Sequence, residues 1–254
     1  MKSASSKPRI LFIDIETFPM VGTFWQLWET NPLWVIKPTI ICCVSVKWQG
    51  GAQYTFSLSD FKGYKAGSEN PRPLLKKLHK FIEEADIVIG QNHKRFDMKM
   101  INTEFLKYGF NPPSPYKMID TLIEAKRYFR FPSNKLDYLA HELGIGRKLD
   151  HEGEKLWKRC MAGDMRAWAL MKRYNAHDVR LTEGVYTKFL PWIENHPAAK
   201  MKALDKSYGE CDNCGKEALQ RHGQKWHNHK KYWRFQCMAC GKTQPAKKRF
   251  LVKE

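Results

Sequence analysis

The chain has 254 residues, 43% of them hydrophobic, with 9 Trp, 14 Phe and 10 Tyr, and a formal net charge of +18. That composition supplies a core and excludes global disorder. No apolar run reaches the roughly 18 to 20 residues that span a bilayer, and Met1 to Arg9 is polar without a signal-peptide core. The expectation is therefore a cytoplasmic protein with a polyanionic partner. In a reducing compartment its seven cysteines read as metal ligands or buried thiols rather than disulfides.

Ile10 to Thr17 reads as a buried strand interrupted by Asp14 and Glu16. Residues two apart on a strand share a face, so these carboxylates stand side by side. Burying two such anions unpaired would cost several kcal/mol, a penalty that a hard divalent cation removes. Alone, an Asp-x-Glu reads more simply as a strand end whose acids face water.

Phe18 to Thr39 has three Pro, three Trp and no sustained period, and reads as a long excursion covering a site. Trp25, Trp28 and Trp34 are expected to pack it onto the domain, with base stacking as the alternative. Ile40 to Trp48 and Ala52 to Leu58 are predicted strands joined by a Gln49-Gly50-Gly51 turn. Cys42 and Cys43 read as plain buried thiols. Pro73 to Ala85 has the spacing of an amphipathic helix. A short strand follows at Asp86 to Gly90, then a polar turn, then a helix over Phe96 to Tyr108 closed by Gly109.

Beyond the Pro112–Pro115 connector, a strand is predicted around Met118 to Asp120, with Asp120 as a helix N-cap. Helices are predicted at Thr121 to Phe129, Leu136 to Leu143, Glu154 to Met161 and Asp164 to about Leu190. Strands alternating with helices, with one early hairpin, indicate an α/β mixed sheet flanked by helices. Composition shifts near His196-Pro197. Residues 198–254 hold 14 Lys and Arg against 5 Asp and Glu, and four of the cysteines. The reading is two domains, 1–197 and a basic 198–254.

Two more acids join the first pair. Asp97 follows a strand end, where α/β folds collect ligands. Tyr174 and Asp178 lie four apart, on one helix face. Asp14, Glu16, Asp97 and Asp178 could converge on two Mg²⁺ or Mn²⁺ ions, an arrangement suited to phosphodiester hydrolysis. Tyr174 is placed to hydrogen-bond the attacking water or the scissile phosphate.

Asp14-Ile15-Glu16-Thr17, Asn92-x-x-x-Phe96-Asp97 and Tyr174-x-x-x-Asp178 resemble the three motifs of the DEDD exonucleases. That superfamily has a ribonuclease H-like fold and includes proofreading domains of DNA polymerases. The Tyr makes the chain similar to the DEDDy branch, since the DEDDh branch would want His where Arg173 stands. His177 does not match that motif and reads as structural or partly exposed. The Trp-rich excursion, Pro112 to Tyr116, Ile119-Asp120-Thr121, Ser133 to Asp137, Leu156-Trp157 and Pro191 to Pro197 also look like a phage and bacterial group. Its members are described as exonucleases related to the family B polymerase proofreading domain, often with a zinc ribbon after it. The resemblance covers roughly residues 9–197 and implies a metal-dependent 3′→5′ exonuclease in a bacterial or phage-infected cytoplasm. It gives Asp14 contact with both metals, Glu16 and Asp178 the ion that activates water, and Asp97 support of the second. Arg147 and Lys148 read as a solvated basic loop, with phosphate contact as the alternative.

Cys211-x-x-Cys214-Gly215 and Cys237-x-x-Cys240-Gly241 are two knuckles suited to one structural, tetrahedral Zn²⁺, the glycines allowing the tight turns. Between them Lys230, Lys231 and Arg234 alternate with aromatics, a pattern that fits phosphate contact and base stacking. A stability or protein-docking module is the plainer alternative. Candidate nucleic-acid contacts are thus Thr17, Asn92, Arg147, Lys148, Lys230, Lys231 and Arg234. Three readings stand: a two-metal DNA 3′→5′ exonuclease with possible replication or repair partners, a ribonuclease or structure-specific endonuclease using the same site, and a non-catalytic zinc-ribbon binding protein.

Overall fold

The computed structural model describes residues 8–28, 31–67, 69–194, 196–197, 210–227 and 230–245, with backbone alone for 221–227, 230–234 and 245. Its centre is a five-stranded mixed sheet built from β1 (Ile10–Phe18), β4 (Ile40–Trp48), β5 (Gln53–Ser57), β6 (Ile87–Gly90) and β7 (Lys117–Asp120), in the order β5-β4-β1-β6-β7. β1 pairs antiparallel with β4, placing Asp14 opposite Ser45 and Glu16 opposite Cys43. It pairs parallel with β6, which pairs parallel with β7. The C-terminal ends of three adjacent strands therefore open on one edge, the place where open α/β sheets bind ligands.

Why β1 sits at the middle follows from its composition. Leu11, Ile13 and Ile15 join the core cluster under α1 (Arg72–Glu84), α2 (Asp97–Lys107) and α5 (Glu154–Met161). Ile10 and Phe12 join the cluster under α3 (Thr121–Tyr128), α4 (Leu136–Glu142) and the C-terminal half of α6 (Met165–Phe189). Asp14 and Glu16 continue that second face towards the open edge. A register shift between Glu16 and Thr17 ends the regular ladder just past the acids, a usual place for a bulge beside a site.

Helix ends follow local chemistry. Asp164 caps α6 by accepting from the N–H groups of Arg166 (2.8 Å) and Ala167 (3.3 Å), and Asp120 caps α3 through Leu122 N–H. Cys42 and Cys43 are fully buried.

The excursion departs from its expectation twice. It contains a two-stranded antiparallel ribbon, β2 (Val21–Thr23) with β3 (Trp34–Lys37), hidden from a periodicity reading by its short, Pro-flanked strands. Nor are its tryptophans buried against the domain: Trp25, Trp28 and Trp34 are 80%, 93% and 72% exposed. A ribbon of two three- to four-residue strands has too little surface to bury three indoles.

The C-terminal segment forms a three-stranded antiparallel sheet, β10-β9-β8, from β8 (Leu219–His227), β9 (Lys230–Cys237) and β10 (Thr243–Pro245). The side chains of Lys230, Lys231 and Arg234, and the Lys247–Arg249 tail, lie outside the described residues. No described helix is long and apolar enough to cross a membrane.

Candidate active site

Carboxylates from β1 and α6 meet at the open edge of the sheet. One oxygen each from Asp14, Glu16 and Asp178 lies within 4.8 Å of the others. Asp178 reaches them from the middle of α6, with Tyr174 one turn earlier on the same face. Asp97, the first residue of α2, stands beside this trio rather than in it. Its Oδ1 accepts the backbone N–H of Ile15 at 3.1 Å, and its charge is felt at Asp14.

The electrostatics record the crowding. Burial and then repulsion from Asp97, Glu16 and Asp178 raise the Asp14 carboxyl well above its ordinary range. Glu16 is pushed up to about 8 by burial and by Asp178. Burial lifts Asp97 to about 6, against the Ile15 N–H bond, which favours its charge. Burial also raises Asp178, while Lys148 and the Tyr174 hydroxyl pull it back. Four carboxyls that resist ionisation together form a site that lacks positive charge.

Part of that charge comes from a residue read as a solvated basic loop. Lys148 instead turns inward: its Nζ donates to Asp178 Oδ2 at 2.5 Å and to the Tyr174 hydroxyl at 3.0 Å. The loop is held there because Asp137 of α4 accepts the Lys148 N–H at 2.7 Å. Although burial works against it, the pairing with Asp178 keeps the Lys148 ammonium charged well above the ordinary range. Arg147 faces the other way, its guanidinium 3.4 Å from Asp137 Oδ2 and its carbonyl bonded to His177.

Lys148 satisfies one oxygen of Asp178. The other, Oδ1, is buried and has no hydrogen-bond partner among the described residues. An orphaned carboxylate oxygen within a group of three acids fits a hard cation, since oxygen donors at this density suit Mg²⁺ or Mn²⁺. Asp14, Glu16 and Asp178 are the residues that would hold it.

Asn175 is a neighbour of the acids that the sequence reading passed over. It is fully buried, donates Nδ2 to Asp14 Oδ2 at 2.5 Å, and accepts from the Cys43 thiol at 3.7 Å. A carboxylate only accepts, so the amide turns its donor to Asp14 and leaves its oxygen to the thiol. Its spacing of three from Asp178 puts both on one helix face, the signal that could have found it. The Tyr174 phenol, pushed up to about 12 by burial and by Asp178, stays protonated, with the His151 ring edge-on to it at 4.6 Å.

Beside the acids runs a cleft of about 760 Å³, lined by Asp14, Asn92, Lys126, Asn134, Lys135 and Lys148 among others. Asn92 holds a left-handed backbone, φ 58°, and its N–H donates to Asp120 at 2.8 Å. Asp120 also takes the Lys94 N–H, so this N-cap doubles as the anchor of the turn after β6. Thr17 sits half-buried just past the acids.

A second cluster lies in the C-terminal segment. Cys211, Cys214, Cys237 and Cys240 offer four sulfurs within 4.8 Å of one another. Gly215 and Gly241 carry φ of 76° and 74°, left-handed turns that glycine adopts without strain. Four soft donors at this spacing suit tetrahedral Zn²⁺.

A mixed five-stranded sheet with paired acids on its central strand and an acid-bearing helix across its open edge defines the ribonuclease H-like class. The sequence pattern of the RNase_H superfamily matches residues 29–190, and the chain belongs to that superfamily. The match begins after Asp14 and Glu16, so the placement of those two rests on the geometry above. Among curated proteins none matches the chain. Among solved structures it is similar to the family B DNA polymerase of the hyperthermophilic archaeon Pyrobaculum calidifontis, with TM-score 0.53 and 19% identity over 89% of this chain. The similarity spans 32% of the polymerase, so it is a likeness of fold with part of a larger protein.

Proposed function

We propose that the protein is a divalent-metal-dependent nuclease that removes nucleotides from the 3′ end of a nucleic-acid strand, DNA being the favoured substrate. The observation that carries this reading is the Asp14–Glu16–Asp178 group with its orphaned, buried Asp178 oxygen. Two bound Mg²⁺ or Mn²⁺ ions would activate water and neutralise charge gathering on the phosphate.

The chain's own groups have separate tasks. Asp14, Glu16 and Asp178, with Asp97 alongside, hold positive charge against the phosphate. Tyr174 keeps its proton and donates its hydroxyl to the attacking water or to an oxygen of the scissile phosphate, a role that matches the DEDDy branch. Lys148, held at the wall of the cleft by Asp178 Oδ2, offers its remaining ammonium hydrogens to a non-bridging phosphate oxygen. Asn92, Lys126, Asn134 and Lys135 line the path of the strand. Residues 198–254 form a basic zinc-ribbon domain that adds to nucleic-acid affinity, and replication or repair proteins are its expected neighbours.

A time course on 3′- and 5′-labelled DNA and RNA, with Mg²⁺ or Mn²⁺, tests this. Stepwise shortening from the 3′ end, lost in Asp14→Ala, is expected. Cutting of a circular strand would instead make the protein an endonuclease. Salt-sensitive binding with no turnover in any metal would leave a binding protein.

A further inference from the structure

Composition marks the cysteine-bearing segment as an appendage, yet its knuckles are seated on the nuclease core. Leu190 and Ile193, just past α6, are buried in the cluster that contains Phe12, Val185 and Phe189. Cys214 and Cys240 pack against that same cluster. Lys242 donates its ammonium to the Ile193 carbonyl. A Cβ on Gly241 would lie 3.3 Å from the Pro191 ring, so the second knuckle touches the turn that follows the helix.

One side chain ties the two together. Asn213, inside the first knuckle, is 5% exposed and donates Nδ2 both to the Leu190 carbonyl at 3.4 Å and to Cys240 Sγ at 3.7 Å. Its backbone N–H points at Cys211 Sγ at 3.4 Å. The Leu190 carbonyl is among the C-terminal groups of α6 that the helix itself cannot satisfy. The same amide therefore caps α6 and donates to a sulfur that becomes a full acceptor once it is a metal thiolate.

From this we infer that the four-cysteine centre is a staple of the nuclease core, and that Asn213 is the positioning residue through which zinc fixes the C-terminal end of α6. The inference rests on zinc filling the four-cysteine site. Metal loss would release Cys214 and Cys240 from the core and remove the acceptor that orients Asn213. The helix that then loosens is the one carrying Tyr174, Asn175 and Asp178.

Hydrogen exchange on the full chain tests it, as purified and after zinc removal, with metal content measured in both. One zinc per chain is expected, and its removal should speed exchange of the amides of residues 179–193 by about tenfold or more, as local opening would. Asn213→Ala should either shed zinc or retain it and show faster exchange at 186–193. If the purified chain holds no zinc, the four-cysteine reading fails. If zinc is present and its removal changes exchange only within residues 210–245, the staple alone is overturned. Unchanged zinc content and exchange in Asn213→Ala would remove Asn213 from the account.

Discussion

At Asp178 the two carboxylate oxygens have different surroundings: Oδ2 takes the Lys148 ammonium, while Oδ1 takes nothing among the described residues. With the acids pushed upward, the ion-free folded state holds protons more tightly than the unfolded chain does. Stability from these groups is therefore present at low pH and lost as pH rises from the ordinary carboxylate range towards about 8, where Glu16 ionises. The Tm in chelator should fall between pH 5 and pH 8, and saturating Mn²⁺ should raise it more at pH 8 than at pH 5.5. An equal Mn²⁺ shift at both pH values would refute this electrostatic picture. Lys148→Ala should lower kcat by about 10²-fold, as loss of one preorganised donor at a reacting group does. Asn175→Ala should cost activity on the order of 10²-fold by freeing Asp14 to turn, with a small change in Tm. Unaltered kcat in either variant would exclude the role given to that residue. Spacing puts Asp14 with Glu16 on one strand face and Tyr174 with Asp178 on one helix face, and the fold then decides that Asp14, Glu16 and Asp178 meet with Asp97 beside them. The inward turn of Lys148, read only as a basic-loop candidate for phosphate contact, and the contact of Asn175 were not legible, because both depend on residues far away in sequence, Asp178 and Asp14 respectively.

Among the elements, the end of β6 is tightly constrained. A Cβ on Gly90 would lie 2.7 Å from the His93 Cβ and 2.9 Å from the Ile13 carbonyl. Backbone cannot yield cheaply there, so Gly90→Ala should destabilise the fold by about 1–3 kcal/mol in a denaturant titration. A change under a few tenths of a kcal/mol would mean that β1 and β6 part more easily than their register implies. Long amphipathic elements such as α1 and α6 were readable to within a residue or two, since 3.6-residue periodicity, Asp164 and the Pro191 boundary bracket them. The β2–β3 ribbon was not. Its strands are too short for a period, and whether its tryptophans face core or water is set by what the ribbon leans on.

For the whole molecule, alternating strands and helices implied a mixed sheet, but not the order β5-β4-β1-β6-β7, which long-range pairing alone decides. Nor could composition show that the cysteine knuckles rest on Leu190 and Ile193. The +18 charge belongs to this scale as well. The logarithm of affinity for any nucleic acid should fall linearly with the logarithm of salt concentration, and salt-independent binding would show that phosphates are not what the chain holds.

Everything proposed for catalysis depends on divalent ions occupying the space between β1 and α6. Mn²⁺ binding at pH 7.5, followed by electron paramagnetic resonance on the wild-type chain and on Asp14→Asn, addresses that most directly. Saturable Mn²⁺ binding that is lost or weakened by at least about tenfold in the variant is the predicted result. Equal binding by both proteins, or none by either, would contradict it.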